Sequence, residues 1–205
     1  MAVLPKIHSR SSALAEPNAA CAFFRIADSG PAVAGKFEPQ AMREAPNAST
    51  TAPKNEAGRL WVHQLQLTIA DLVAEAHDVH HPIGSGLYYE DQKREAKRAA
   101  ESFIAERIPK YLGYFETVLE RGRGSYLTGA RLSYADLSLF QIVEGLRYAF
   151  PHTMKRREKK IPCVMALRNR VAARPRLAAY LASDARIPFN ESGIFRHYPE
   201  LDRSN

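Results

Sequence analysis

From residue 56 to its C-terminus the sequence predicts an all-α fold, a helical bundle preceded by a poorly ordered N-terminal segment. Three observations lead there. Beyond Glu56, apolar residues recur at steps of three and four, the period of a helix with one buried face. After residue 58 no strand pattern alternates with a helical one, so a parallel α/β sheet is excluded. Before residue 58 stand Pro5, Pro17, Pro31, Pro39, Pro46 and Pro53 among many Ala, Ser and Asn residues, a texture that breaks long helices and central strands. The chain is accordingly expected to divide into a leader, residues 1–55, and a helical unit, residues 56–205.

The elements follow in order. In the leader only Cys21-Ala22-Phe23-Phe24-Arg25-Ile26 reads as strand-like, and Asn47 to Pro53 reads as linker. Trp61, Leu65, Ile69, Leu72, Ala76 and Val79 make the stripe of a first helix, which should stop near Pro82 because the residue before a proline avoids the helical region. Gly84-Ser85-Gly86 is a turn. A second helix carries Ile104, Ile108, Tyr111, Phe115 and Leu119, with Pro109 expected to bend it. Gly122, Gly124 and Gly129 punctuate the next loop. Ser133-Tyr134-Ala135-Asp136 is a variant of the capping box, in which side chains at both ends of the first turn satisfy each other's backbone donors. Leu132 and Leu137 flank it as a hydrophobic staple. The helix it opens is apolar on more than one face and should be buried on most sides. Pro162 and Pro175 each suit the first position of a helix. The aromatic tail from Ile187 to Leu201 has no helical period and is expected to pack back over the bundle.

Composition excludes several functions. With 205 residues, 45% hydrophobic and 25% charged, the chain is neither wholly disordered, collagen-like nor a coiled-coil rod. No apolar run is long enough for a transmembrane helix. Cys21 and Cys163 form no CxxC motif and no disulfide framework, which suits a reducing, cytoplasmic setting. The net charge of +7 is local: residues 155–160, Lys-Arg-Arg-Glu-Lys-Lys, hold +4 of it. One short basic run without interleaved aromatics does not make a nucleic-acid surface, and it reads as a solvated loop between helices. Phosphate loops and nucleophile elbows are absent.

The string Tyr126-Leu127-Thr128-Gly129-Ala130-Arg131-Leu132-Ser133-Tyr134-Ala135-Asp136-Leu137 resembles the signature of the C-terminal helical domain of cytosolic glutathione transferases. Tyr111 to Glu116 and the run from Pro162 through Arg174-Pro175 to Leu181 resemble the same domain, in the same order, so the likeness covers about residues 57–190 and the sigma, pi, mu and alpha-like branch. It implies conjugation of glutathione, as co-substrate, to small electrophiles in a homodimer. It also makes Ser133 and Asp136 a structural cap rather than catalytic residues. Family members begin with a thioredoxin-like domain that supplies the Tyr, Ser or Cys activating the thiol. Residues 1–58 are too short for it, and no tyrosine precedes Tyr88. Ser11, Ser12 and Cys21 match no activating motif, so no catalytic residue is assigned and the activity is expected to be impaired. A non-enzymatic helical interaction module is the alternative.

The resemblance places Asp71 where the family has an acidic residue that reaches a glutathione amine bound to the partner subunit, a charge-assisted hydrogen bond in chemical terms. It also makes His77, His81 and Tyr88 candidate walls of the electrophile pocket. From the residues alone, His77 and His81 share a helical face at a spacing that suits zinc, with Asp78 beside them. The HExxH run is missing, and histidines at a helix C-terminus are also favoured by the macrodipole, so no metal is assigned.

Overall fold

The computed structural model describes residues 51–202. The leader's strand-like run, Ser11, Ser12 and Cys21 lie outside the described residues, as does almost all of the segment 1–55. Helix α1 runs Glu56–Asp78, α2 Lys93–Ser102, α3 Ile108–Arg121, α4 Tyr134–Ala149, α5 Pro151–Arg157, α6 Pro162–Ala172 and α7 Pro175–Leu181. No strand occurs among the described residues; a single bridge, Tyr126 to Gly129, pinches the loop before α4. Gly129 sits there at φ +107°, a conformation that disfavours any side chain.

Asn55 starts α1 by accepting from the Gly58 N–H at 3.1 Å, the ordinary N-cap bond. The buried stripe is Val62, Leu65, Ile69, Leu72, Val73 and Ala76. Leu65, Ile69, Leu72 and Ala76 are as the spacing predicts. Trp61 is not: it lies at the edge of the stripe, 36% exposed, and Val62 takes the core position. Each fully buried Leu or Ile contributes roughly 2 kcal/mol of burial free energy, so this face alone fixes α1 to its neighbours.

The helix expected over Ile104 to Leu119 forms, and a further helix that the spacing does not predict precedes it. Lys93–Ser102 precedes a π-helical turn, Phe103–Arg107, which leads straight into α3. Pro109 has no N–H to donate, and the widened turn just before it accommodates the missing bond. α2 buries only Ala96 and Ala100.

α4 is the central element, with Leu139, Ile142, Val143 and Leu146 fully buried, and it packs against α1, α5 and α6. Its capping box forms, and Leu132 and Leu137 both pack on the core. The basic run is not a loop. Lys155, Arg156 and Arg157 finish α5, and Glu158–Lys160 form a 3₁₀ turn tied to α4 by Arg147 Nε donating to Glu158 at 2.8 Å. Glu116, only 5% exposed, reaches from α3 to accept from the Cys163 and Val164 N–H groups at 2.8 and 2.9 Å. It satisfies two of the donors that the first turn of a helix leaves unpaired. The tail does pack back over the bundle. Phe195 lies on Gly145, and Asp202 accepts from the His152 and Thr153 N–H groups at 2.6 and 3.1 Å, capping α5 from 50 residues away.

Candidate functional site

α1 presents two different surfaces. Leu60, Gln64, Leu67 and Asp71 are exposed and follow one another at helical spacing on the outer face. Asp71 has no hydrogen-bond or ion-pair partner among the described residues, so its carboxylate is available to a ligand or another chain. One turn on, Glu75 is engaged. Arg107 grips it with Nε and Nη2 at 2.7 and 2.6 Å, and the Tyr111 hydroxyl donates at 2.7 Å. The Arg107 hydrogen bonds hold the Glu75 carboxyl below its usual range.

His77 and His81 come together at the end of α1, their rings stacked with centroids 5.2 Å apart. Asp71 is not with them. Six residues upstream, it is about 9 Å away along the helix axis and on a different face. His81 is 8% exposed, with Nδ1 3.2 Å from the Leu87 carbonyl and Nε2 2.5 Å from Arg196 Nη1. A guanidinium only donates, so Nε2 accepts and the proton sits on Nδ1, facing Leu87. Burial and the Arg196 charge push the His81 pKa down, which keeps this neutral form. With both nitrogens engaged, neither is free to ligate a metal. His77 keeps a bond of 3.1 Å to Asp78 and is partly exposed.

Tyr88 is 79% exposed on the following loop, whereas Tyr89 is buried at 2%. Their difference follows from Gln92, a fully buried residue that sequence reading does not single out. Its Oε1 accepts from the Ile83 N–H at 2.9 Å, and its Nε2 donates to the carbonyls of Gly84 and Leu87, each at 3.2 Å. One amide thus replaces the secondary structure that the loop lacks and fixes Ile83, Leu87 and Tyr88 outward.

A groove of about 420 Å³ opens elsewhere, between the first turns of α1 and the second half of α3. Trp61, Tyr114, Thr117, Val118, Arg121 and Leu127 line it, and the lining is chiefly apolar. None of the sequence's site candidates belongs to it. Beyond it the cap residues are placed as expected. Asp136, fully buried, takes the Ser133 N–H at 2.7 Å and the Leu127 N–H at 2.8 Å, so Ser133 and Asp136 anchor the loop as well as the helix.

Residues 77–184 match the family model described as "Glutathione S-transferase, C-terminal domain". The chain belongs to the glutathione S-transferase family. Among curated relatives, the chain is 28% identical over 138 residues to "Glutathione S-transferase 2" of Onchocerca volvulus, covering 64% of the chain and 61% of the relative. It is 33% identical over 91 residues to "Glutathione S-transferase P 1" of Bufo bufo, covering 42% and 41%. The chain therefore spans about two-fifths to three-fifths of the length of these relatives. Prostaglandin synthase D of Nilaparvata lugens shares its fold, with a TM-score of 0.54 at 21% identity over 67% of the chain and 62% of that protein. The helical architecture is thus that of the C-terminal domain of this family. No helix among the described residues is long and apolar enough to cross a membrane.

Proposed function

We infer that residues 56–205 act as the helical half of a cytoplasmic glutathione S-transferase-like homodimer, whose family activity joins glutathione, as co-substrate, to small electrophiles. The observation that carries this reading is the free carboxylate of Asp71 on the outer face of α1, where the resemblance places a contact to glutathione on the opposite subunit. His77 at the end of the same helix, with His81 and Tyr88 in the segment after it, would wall the electrophile pocket, with neutral His81 offering no charge to repel an apolar substrate. Thiol activation is the main catalytic contribution in this chemistry. Residues 1–58 contain no recognisable activating motif, so conjugation by this chain alone is proposed to be weak.

The test is retention on glutathione-agarose together with a conjugation assay on the full chain. Weak retention that Asp71→Asn removes supports the reading. Robust turnover overturns the proposed impairment, and retention unchanged in Asp71→Asn overturns the role of Asp71.

A second reading, a non-enzymatic interaction module, is favoured by exposed apolar residues on α1, Trp61 in the groove and Leu60 and Leu67 on the outer face. Surfaces of this kind commonly mark protein contacts. It predicts self-association or partner binding with no thermal shift on adding glutathione.

A further inference from the structure

The C-terminal tail is seated on a histidine whose two polar atoms have nothing to bond. His80 follows the end of α1, is 1% exposed, and neither Nδ1 nor Nε2 has a hydrogen-bond partner. Its ring lies between Phe150, centroid 6.1 Å away, and Tyr198 of the tail, 5.6 Å away. Phe103 closes the same apolar cluster against Phe150. Tyr198 also stacks on Tyr89 at 3.7 Å, nearly parallel, and the Tyr89 hydroxyl donates to Glu200 of the tail at 2.9 Å. Arg196, two residues before Tyr198, donates to neighbouring His81. Buried imidazoles normally find partners, so this arrangement tolerates only an uncharged His80.

The charged groups around it disfavour a proton, against the Arg196 main chain, which favours one less strongly. The strongest charges acting on His80 are Arg196 from the tail and His81 and His77 from its own segment. Asp78 pairs with His77, and Glu90 and Glu200 lie at the tyrosine pair, with Lys93 over the Tyr89 ring. His197 faces the other way, toward the Ala149 carbonyl and Tyr148. Phe103 and Phe150 bring no charge.

We propose that residues 187–202 form an acid-released strap, held on the bundle in neutral solution by the uncharged ring of His80. Burial, first, and then Arg196 depress the pKa of His80 from 6.5 to about 3 while the strap is seated. A released His80 regains the ordinary value, so the open form binds one proton more than the closed form between those limits. The strap is therefore fully held above the open-state value and loosens as pH falls below it. Opening should become about 30-fold more favourable from His80 alone between neutral pH and pH 5. His81, also depressed, adds to the same direction once Arg196 leaves. The proposal does not rest on the function inferred above, since it concerns how the fold closes.

Hydrogen exchange of the full chain, read by mass spectrometry and corrected for intrinsic rates, tests it at pH 7.5 and about pH 5. The expected result is loss of protection in peptides spanning 187–202 and the loop 82–92, with α4 still protected. In His80→Phe the strap should stay protected at both pH values. Acid release unchanged in His80→Phe, or a strap as protected at pH 5 as at 7.5, overturns the proposal; so does simultaneous loss across α4. If His80→Phe fails to fold, the His80 ring proton resonances of the unaltered chain decide. A titration that coincides with strap release supports the mechanism, and release without a change at His80 overturns it.

Discussion

Asp136 and Ser133 close a ring at the start of α4: one carboxylate oxygen takes both the Ser133 N–H at 2.7 Å and the Ser133 hydroxyl at 2.6 Å. The other oxygen takes the Leu127 N–H, so the loop and the central helix are fastened at one buried point. Asp136→Ala removes every acceptor and leaves buried donors unpaired. Hydrogen bonds to charged groups are worth about 1.5–3 kcal/mol each, so a loss of about 3 kcal/mol or more is expected. Ser133→Ala keeps both backbone bonds and should cost about 1 kcal/mol. Urea titration of the two variants gives the comparison; equal losses would mean that the hydroxyl, not the backbone bonds, dominates the cap.

Glu75 and Arg107 supply a dependence on pH with a definite sign. Their hydrogen bonds hold the Glu75 pKa below 4.5, the value it has when unfolded. The pair therefore stabilises the fold fully above that pH, and the contribution is lost as pH falls through the lower, folded value. Glu75→Gln should melt below the unaltered chain at pH 7, and the gap between the two should narrow as pH approaches 3. Melting curves by circular dichroism across that range check it. A gap that stays constant would show that the charge on Glu75 is not what the pair uses.

Gly145 and Phe195 set a limit on the packing of the tail. A Cβ at Gly145 would run into the Phe195 ring. In the middle of a helix, glycine to alanine ordinarily stabilises by about 1 kcal/mol. Here the sign should reverse, with a loss of about 1–3 kcal/mol from overpacking. In a Phe195→Ala background the clash is gone and Gly145→Ala should stabilise instead. A double-mutant cycle by thermal denaturation reads the coupling, and additive effects would mean that the tail yields freely to the added methyl.

The legible parts of the fold were those whose partners are close in sequence. Leu65, Ile69, Leu72 and Ala76 share a face by spacing alone, and Ser133 and Asp136 are three residues apart. α2 was hidden because its core face is two alanines, which carry little apolar signal. α5 was hidden because Asp202, which caps it, lies 50 residues on, so a basic stretch with no local cap looked like loop. Gln92 and Glu116 carry no local signal for the same reason: their bonds run to main-chain groups that only the tertiary fold brings near. Spacing does not separate Trp61 from Val62, since a helical stripe is wide enough for either to be its first member. At the candidate site His77 and His81 do come together, but across the end of α1 rather than on its face, because the helix stops at Asp78. The engagement of His81 by Arg196, 115 residues away, was beyond any local pattern.

Trp61 is the chain's single tryptophan, and it lines the groove between α1 and α3 while 36% exposed. Its fluorescence therefore reports on what covers that surface. If two copies associate through α1 and α3, raising the protein concentration should shift its emission to the blue and reduce quenching by acrylamide. Light scattering should show the mass doubling over the same range. Leu67, 53% exposed on the outer face of the same helix and about 9 Å further along its axis, is a site for interference without damage to the core, and it tests whether the contact extends from the groove over that face. Leu67→Glu should abolish both changes, because a charge desolvated in an apolar contact without a partner is strongly unfavourable. Its effect on monomer stability should stay within about 0.5 kcal/mol, as for other exposed positions. A dimer that persists in Leu67→Glu with unchanged tryptophan emission would place the contact elsewhere on the surface and leave the groove to another partner.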